Sequence, residues 1–417
     1  MKILMIDKYY FIKGGAERYY FELKDVLEHK GHTVIPFSMK HPDNFESEYE
    51  EHFVDNIEYE FSSFFEKARA LPKITGRMLY SLHAKKRLEK LILKEKPALA
   101  HLHMIDHQLS PSILHVLKKH EIPVVQTIHQ YKLVCPNYRL YNMGKTTICE
   151  KCLTGNFIHP IFEKCHKDSR LAGALISLES FLHRSMKIYE NNIDLFHTPS
   201  RFIGEKMKQA GVGNGKIRHL FYTLKLDNYP PHFSFDNYIV YFGRLAKEKG
   251  VPTLLKAMQQ VSQTQLRIIG DGPERAALEA FVQKYNLDHV VFDGVKSGGE
   301  LKSLIQNCQF VIVPSEWYDN SPLVIYESFA LGKPVIGARM GGIPELIDHD
   351  KNGYHFEAGN ADELAAHINH LITHPQLVKE FGHQARAKAE KEFEPEFHYH
   401  KMFSWYEELI SSSANGA

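Results

Sequence analysis

Two cations stand just beyond an apolar run in the second half of the chain. In YFGRLAKEKGV, Arg244 follows the run and Lys249 lies a few residues on, ahead of Gly250. Cations at a strand end beside a helix start suit a diphosphate whose negative charge grows as it departs. Further on, in VPSEWYDNSPLVIYESFALGKPVIGARMGGIPELI (313–347), Asp319 precedes Glu327, and SPLV opens the helix that carries Glu327. Free N–H groups at that start can hold phosphate or sugar oxygens, and the carboxylates can accept hydrogen bonds from sugar and ribose hydroxyls. In the first half, Gly14-Gly15 follows an apolar run and opens a helical pattern, which lets a backbone approach phosphate. No G-x-G-x-x-G stands there, and no G-x-x-x-x-G-K-[ST] occurs in the chain. His129, in PVVQTIHQY, and His103, in AHLHM, end two further runs and are candidates for acid–base work.

Four of the five cysteines form a separate cluster: Cys135, Cys149, Cys152 and Cys165, with His129, His159 and His166 nearby. In a reducing compartment such clustered thiols read as a structural zinc site, closed by four protein ligands, or as a loop with free or redox-active thiols. Cys308, in an apolar run, reads as a buried small side chain.

The elements that must position these residues alternate. Short apolar runs (KILMID, TVIPFS, ALAHLHM, PVVQTIH, LFHTPS) are separated by helical patterns, and such alternation implies parallel pairing. Residues 222–237, with Pro230-Pro231, read as a linker, after which YIVYFGRL, QLRIIGDG, HVVFDGV, FVIVPSE and KPVIGARMGG restart the pattern. The expected organisation is a first domain at 1–221 with a Cys-rich loop near 130–168, a linker at 222–237, a second domain at 238–394, and a C-terminal helix and tail at 395–417. This is an α/β chain of two doubly wound domains, with ligands beyond the carboxyl ends of the strands and a cleft between the halves as the default site.

The 417 residues suffice for two cores, and 43% hydrophobic with 24% charged residues excludes wholesale disorder. A net charge of +1 argues against a nucleic-acid binder. That sum hides +8 over residues 1–220 and −7 over 221–417. Lys85, Lys86, Arg87, Lys90, Lys94 and Lys96, interleaved with Leu88, Leu91, Ile92 and Leu93, could lie on anionic lipid or form an ordinary solvated helix face. With no apolar run long enough to span a bilayer and no leader pattern, a cytoplasmic protein is expected, at most peripheral on the inner face of the membrane.

Taken together, GGAE, FGRLAKEKG, IIGDGPE, PSEWYDNSPLVIYESFALGKPVIG and GGIPELI make the chain resemble the family 4 retaining glycosyltransferases, in a subgroup with a Cys-rich insert. The resemblance spans essentially the whole chain. It implies a GT-B fold, two Rossmann-like domains facing across a cleft, with the C-terminal helix crossing back to the first domain. Where the family carries Glu-x7-Glu, Asp319 takes the first position, one methylene shorter, and Glu327 the second; Glu316 lies nearby at a different spacing. FYTLKLD (221–227) stands where the family usually has an Asn-Gly turn.

By that resemblance Arg244 and Lys249 would bind and stabilise the leaving diphosphate, and Glu327 the ribose. Asp319 and the amides of Leu323 and Val324 would hold sugar and phosphate, Val295 the base through its backbone. Gly15 would approach the diphosphate, and His129 would face the donor sugar. The implied reaction is retaining transfer of a hexosyl or related group, without a catalytic metal, from a UDP- or GDP-linked donor. The implied acceptor is a glycan or lipid-linked saccharide in bacterial surface polysaccharide assembly (capsule, O-antigen, lipopolysaccharide or exopolysaccharide). Two alternatives are a GT-B nucleotide-sugar epimerase and a non-catalytic nucleotide- or glycan-binding scaffold, the latter raised by Asp319.

Overall fold

The computed structural model describes residues 1–57, 72 and 74–415. The chain separates into two compact units. The first comprises Met1–Gly144, Cys149–Leu220 and His398–Ala417; the second comprises Phe221–Phe397 with the short piece Lys145–Ile148.

The first unit is built on six parallel strands: β1 (Lys2–Ile6), β2 (Thr33–Phe37), β3 (Leu99–Leu102), β4 (Val124–Thr127), β5 (Leu195–Thr198) and β6 (Ile217–His219), in spatial order β2-β1-β3-β4-β5-β6. Strands such as VVQT and LFHT are buried throughout, as expected of a sheet covered on both faces by its crossover helices. The chain leaves β1 toward one side for β2 and returns to the other for β3. The carboxyl ends of β1 and β3 therefore flank a point where the winding reverses, the usual ligand site of such sheets.

The second unit repeats the plan with β7 (Tyr238–Phe242), β8 (Gln265–Ile269), β9 (Val290–Gly294), β10 (Val311–Val313), β11 (Val335–Ala338) and β12 (Gly353–Phe356), ordered β9-β8-β7-β10-β11-β12. Its reversal lies between β7 and β10. Within these two sheets, β6 (IRH) and β12 (GYHF) escaped the sequence reading, because both are short and only partly apolar.

Residues 222–237 are packed into the second unit instead of spanning free as a linker. Tyr222, Leu224, Leu226 and Tyr229 are buried, the Leu224 amide donates to the Phe393 carbonyl (3.0 Å), and the Tyr222 amide donates to the Tyr326 hydroxyl (3.2 Å). The terminal helix runs Pro395–Asn415, and from His398 onward it belongs to the first unit. There Tyr19 and His398 share a hydrogen bond of 3.1 Å, and Tyr406 meets His101 at 2.5 Å.

Candidate active site

In the second unit, the reversal point gathers most of the residues singled out for the donor. Arg244 lies just past β7, exposed, with no partner for its guanidinium among the described residues. The short 3-10 turn Lys247–Lys249 ends at Gly250, whose φ of +68° lies in the left-handed region. A Cβ at Gly250 would come within 1.8 Å of the Pro314 carbonyl, so only glycine lets the Lys249 turn lie against the end of β10. The result is a contact across the reversal: Lys249 Nζ donates to Asp319 Oδ2 at 2.6 Å and stands 5.3 Å from the Trp317 ring centre. Ser315 Oγ donates to the same carboxylate oxygen at 3.0 Å. The loop holding Asp319 is locked from behind, where the Gly342 amide donates to the Asp319 carbonyl (2.7 Å).

The helix Leu323–Ala330 begins immediately after this loop with Pro322 as its first flanking residue. Leu323 and Val324 are half-buried at its first turn, where helical N–H groups have no partner within the helix. Glu327, one turn on, is buried and accepts from the Tyr229 hydroxyl at 3.3 Å. Glu316 is engaged elsewhere, accepting from Thr253 Oγ1 at 2.5 Å, so it does not duplicate Asp319. Val295, just past β9, is exposed. The unit therefore presents Arg244, the Lys249–Asp319 pair and a helix start at one reversal point, a constellation suited to a phosphorylated ligand.

In the first unit, Gly15 opens the helix Gly15–His29 and is exposed, while Glu17 in the same first turn is buried. Burial raises the Glu17 pKa. His103 and His129 sit past β3 and β4 with Nδ1 of His103 2.9 Å from Nε2 of His129, rings stacked. Nε2 of His103 has no partner among the described residues. Burial, with His197 nearby, pulls His129 down to about 3. His129 is thus a neutral imidazole at pH 7, with the capacity to share a hydrogen bond or accept a proton.

Three neighbours went unnoticed in the sequence. Asp106 Oδ2 accepts from Gln130 Nε2 (2.6 Å) and Lys8 Nζ (3.2 Å), and Lys132 Nζ donates to Glu179 Oε2 (2.7 Å). Burial alone would raise Asp106, yet Lys8, His107 and Lys132 outweigh it and carry its pKa to about 2. Asp106, Gln130 and Lys132 line a small pocket, open to solvent, together with His103, Gln126 and His129. Their common signal was position, since Lys8, Asp106 and Lys132 each lie a few residues past a strand end.

The cysteine cluster is where structure and sequence part. The four thiols are close enough to perturb one another electrostatically. Among the described residues, however, no group of three or more His, Cys, Asp or Glu side chains is arranged to hold a metal ion. Cys135, Cys149, Cys152 and Cys165, the zinc ligands expected from the sequence, are not arranged as a ligand set here. Cys135 Sγ instead donates to Asn137 Oδ1 at 2.9 Å, and Asn137 bridges onward to the Cys165 carbonyl (3.2 Å). Burial raises the Cys135 and Cys152 thiols and takes Cys165 to about 11, so they are protonated at neutral pH. Cys308 is fully buried, as expected.

Comparison with known proteins places the chain. The family model "Glycosyltransferase Family 4" matches residues 13–220, and "Glycosyl transferases group 1" matches 227–388. Among solved structures, sucrose-phosphate synthase from Thermosynechococcus elongatus superposes with a TM-score of 0.71 at 21% identity, covering 99% of both chains. Anabaena HepE in complex with UDP gives 0.65 at 17%, covering 98% of this chain and 100% of that one. The fold is thus that of the GT-B glycosyltransferases. Within that class, the chain belongs to glycosyltransferase family 4.

A protein of the Klebsiella pneumoniae cps region is 24% identical over 86% of this chain and 90% of its own length. An uncharacterised glycosyltransferase of Methanocaldococcus jannaschii is 33% identical over 42% of this chain and 48% of its own. The Arabidopsis thaliana sulfoquinovosyl transferase is 27% identical over 56% and 47%. The chain spans about half the length of these last two curated relatives.

Proposed function

We propose that this glycosyltransferase moves a hexosyl or related group, with retention of configuration, from a UDP- or GDP-linked donor to a glycan or lipid-linked saccharide. Its setting is bacterial surface polysaccharide assembly. The observation that carries the reading is the Lys249–Asp319 pair beside Arg244 and the Leu323 helix start, all at the reversal point of one sheet. The UDP bound by HepE and the cps-region relative agree with it. So does a putative colanic acid glycosyltransferase of Escherichia coli, 29% identical over 31% of this chain and 34% of its own.

In this reading Arg244 and Lys249 meet the diphosphate as its charge grows, which lowers the barrier to departure. Asp319 orients Lys249 and accepts from a sugar hydroxyl, the amides of Leu323 and Val324 hold phosphate oxygens, and Glu327 accepts from the ribose. The Val295 backbone meets the base, and Gly15 approaches the diphosphate. Neutral His129 donates a hydrogen bond to the sugar, while the departing phosphate oxygen accepts the acceptor's proton. Charge stabilisation rests on the two cations, so transfer should survive EDTA.

The test is a nucleotide-release assay over UDP- and GDP-sugars with bacterial glycolipid extracts as acceptors, followed by NMR of the product's anomeric centre. Acceptor-dependent release with retained configuration supports the proposal. An inverted product, or release of free sugar irrespective of acceptor, contradicts it.

A further inference from the structure

The basic helix that the sequence offered to a lipid surface is committed elsewhere. In Leu82–Glu95, the side chains of Leu88, Leu91 and Ile92 are buried in the core, which leaves Leu93 as the exposed apolar residue of the four named there. The helix Arg170–Ser185 (RLAGALISLESFLHRS) shows the opposite arrangement. Its buried positions are Gly173, Ile176, Ser177, Glu179, Ser180 and His183, mostly small or polar. Glu179 is held by Lys132, and His183 Nε2 donates to the Leu79 carbonyl at 2.8 Å. Gly173 lets the helix press on the preceding turn, since a Cβ there would come within 2.4 Å of the Pro160 carbonyl.

The opposite face is apolar and turned to solvent: Leu171 is 69% exposed, Leu178 46% and Phe181 60%. Their spacing puts them on one stripe, which the half-buried Ala174 and Leu182 fill in, while Leu175 at its edge packs against Ile57, Ile74, Met78 and Ile176. A water-facing helix ordinarily has the reverse pattern, and a contiguous exposed apolar stripe marks an interaction surface. From Lys164 to Lys187 the exposed charged residues are Lys164, Lys167, Arg170 and Lys187 against one carboxylate, Asp168. Protein interfaces are depleted in lysine, whereas anionic headgroups attract it.

We propose that this face docks the first unit onto an anionic bilayer, the helix lying flat with Leu171, Leu178 and Phe181 among the acyl chains and the flanking cations at headgroup depth. The proposal stands on this helix and its charges, independently of the donor site. A membrane surface is where a lipid-linked acceptor would be met, and among the described residues no helix is long and apolar enough to cross a bilayer.

The test is co-sedimentation of the full chain with phosphatidylglycerol-containing vesicles and, separately, with pure phosphatidylcholine vesicles. The wild type should sediment with the first and not the second. The double variant Leu178→Glu/Phe181→Glu should partition about a hundredfold less well, with unchanged thermal stability and unchanged donor binding. Absence of sedimentation, or equal sedimentation of the variant, overturns the proposal. So does a wild-type dimer that the variant dissolves, because the occupant would then be a second copy. A markedly lower melting temperature for the variant also overturns it, because the face would then be covered by the chain itself.

Discussion

Lys249→Ala separates a structural from a chemical role for the ion pair at the donor site. Lys249 and Asp319 meet at 2.6 Å with side-chain exposures of 26% and 12%. That places them between open surface pairs, worth about 0–1 kcal/mol, and fully buried ones, whose rupture costs about 3–5 kcal/mol. Removing the amine leaves the Asp319 carboxylate with the Ser315 hydroxyl, so a stability loss of about 1–2 kcal/mol is expected. The catalytic loss should be larger, about 10²–10³ in rate, as for removal of other groups that meet developing charge. The double variant Lys249→Ala/Asp319→Asn removes the stranded charge, so stability should return toward wild type while transfer stays depressed. Denaturant unfolding and nucleotide-release kinetics read the two quantities. Activity that recovers together with stability in the double variant would show that the pair merely holds the loop, and would refute the reasoning.

Three further outcomes follow from the same geometry. Gly250→Ala should cost more than about 3 kcal/mol by chemical denaturation, because its Cβ would strike the Pro314 carbonyl; Gly31→Ala, at φ +79° with open space around it, should cost about 1 kcal/mol. Burial drives His197 down to about 3 and His101 well below its ordinary value, so the unfolded chain binds the extra protons. Their contribution is therefore present above pH 6.5 and lost as pH falls below it, for His197 through the interval toward 3 and by roughly 1–2 kcal/mol between pH 7 and 5. A melting temperature flat across that range would contradict it. Lastly, EDTA should leave transfer unchanged within about twofold, whereas a fall of about 10² would move charge stabilisation from Arg244 and Lys249 to a metal.

The candidate site of the second unit was legible because its residues are local in the chain: Arg244 and Lys249 share one loop, and Asp319 through Glu327 share another. Position at a strand end located both. The first unit's polar interior was not legible, because its partners are far apart in sequence. His197 Nε2 donates to the Leu220 carbonyl, which leaves Nδ1 to accept from Thr127, and Thr127 in turn accepts from His101 Nε2. His101 Nδ1 is then left to accept from Tyr406 on the terminal helix, so one carbonyl orders every proton in the row. No spacing rule relates residues 101, 127, 197, 220 and 406. The helix Arg170–Ser185 was not legible for a different reason. Periodicity identifies an apolar stripe without saying which way it faces, and here Lys132 and Leu79 hold the polar side inward. The four cysteines are close in sequence, but the sequence does not show that Cys135 Sγ donates to Asn137 Oδ1.

The most direct measurement of the central claim is the melting temperature of the protein across a panel of UDP-, GDP-, ADP-, TDP- and CMP-linked sugars, for the wild type and for Glu327→Ala. A donor at about 100 times its dissociation constant adds about 2.7 kcal/mol, a readable shift. The account predicts a clear rise with a UDP- or GDP-sugar in the wild type and a diminished rise in the variant. No rise with any nucleotide-sugar in folded wild-type protein would contradict it.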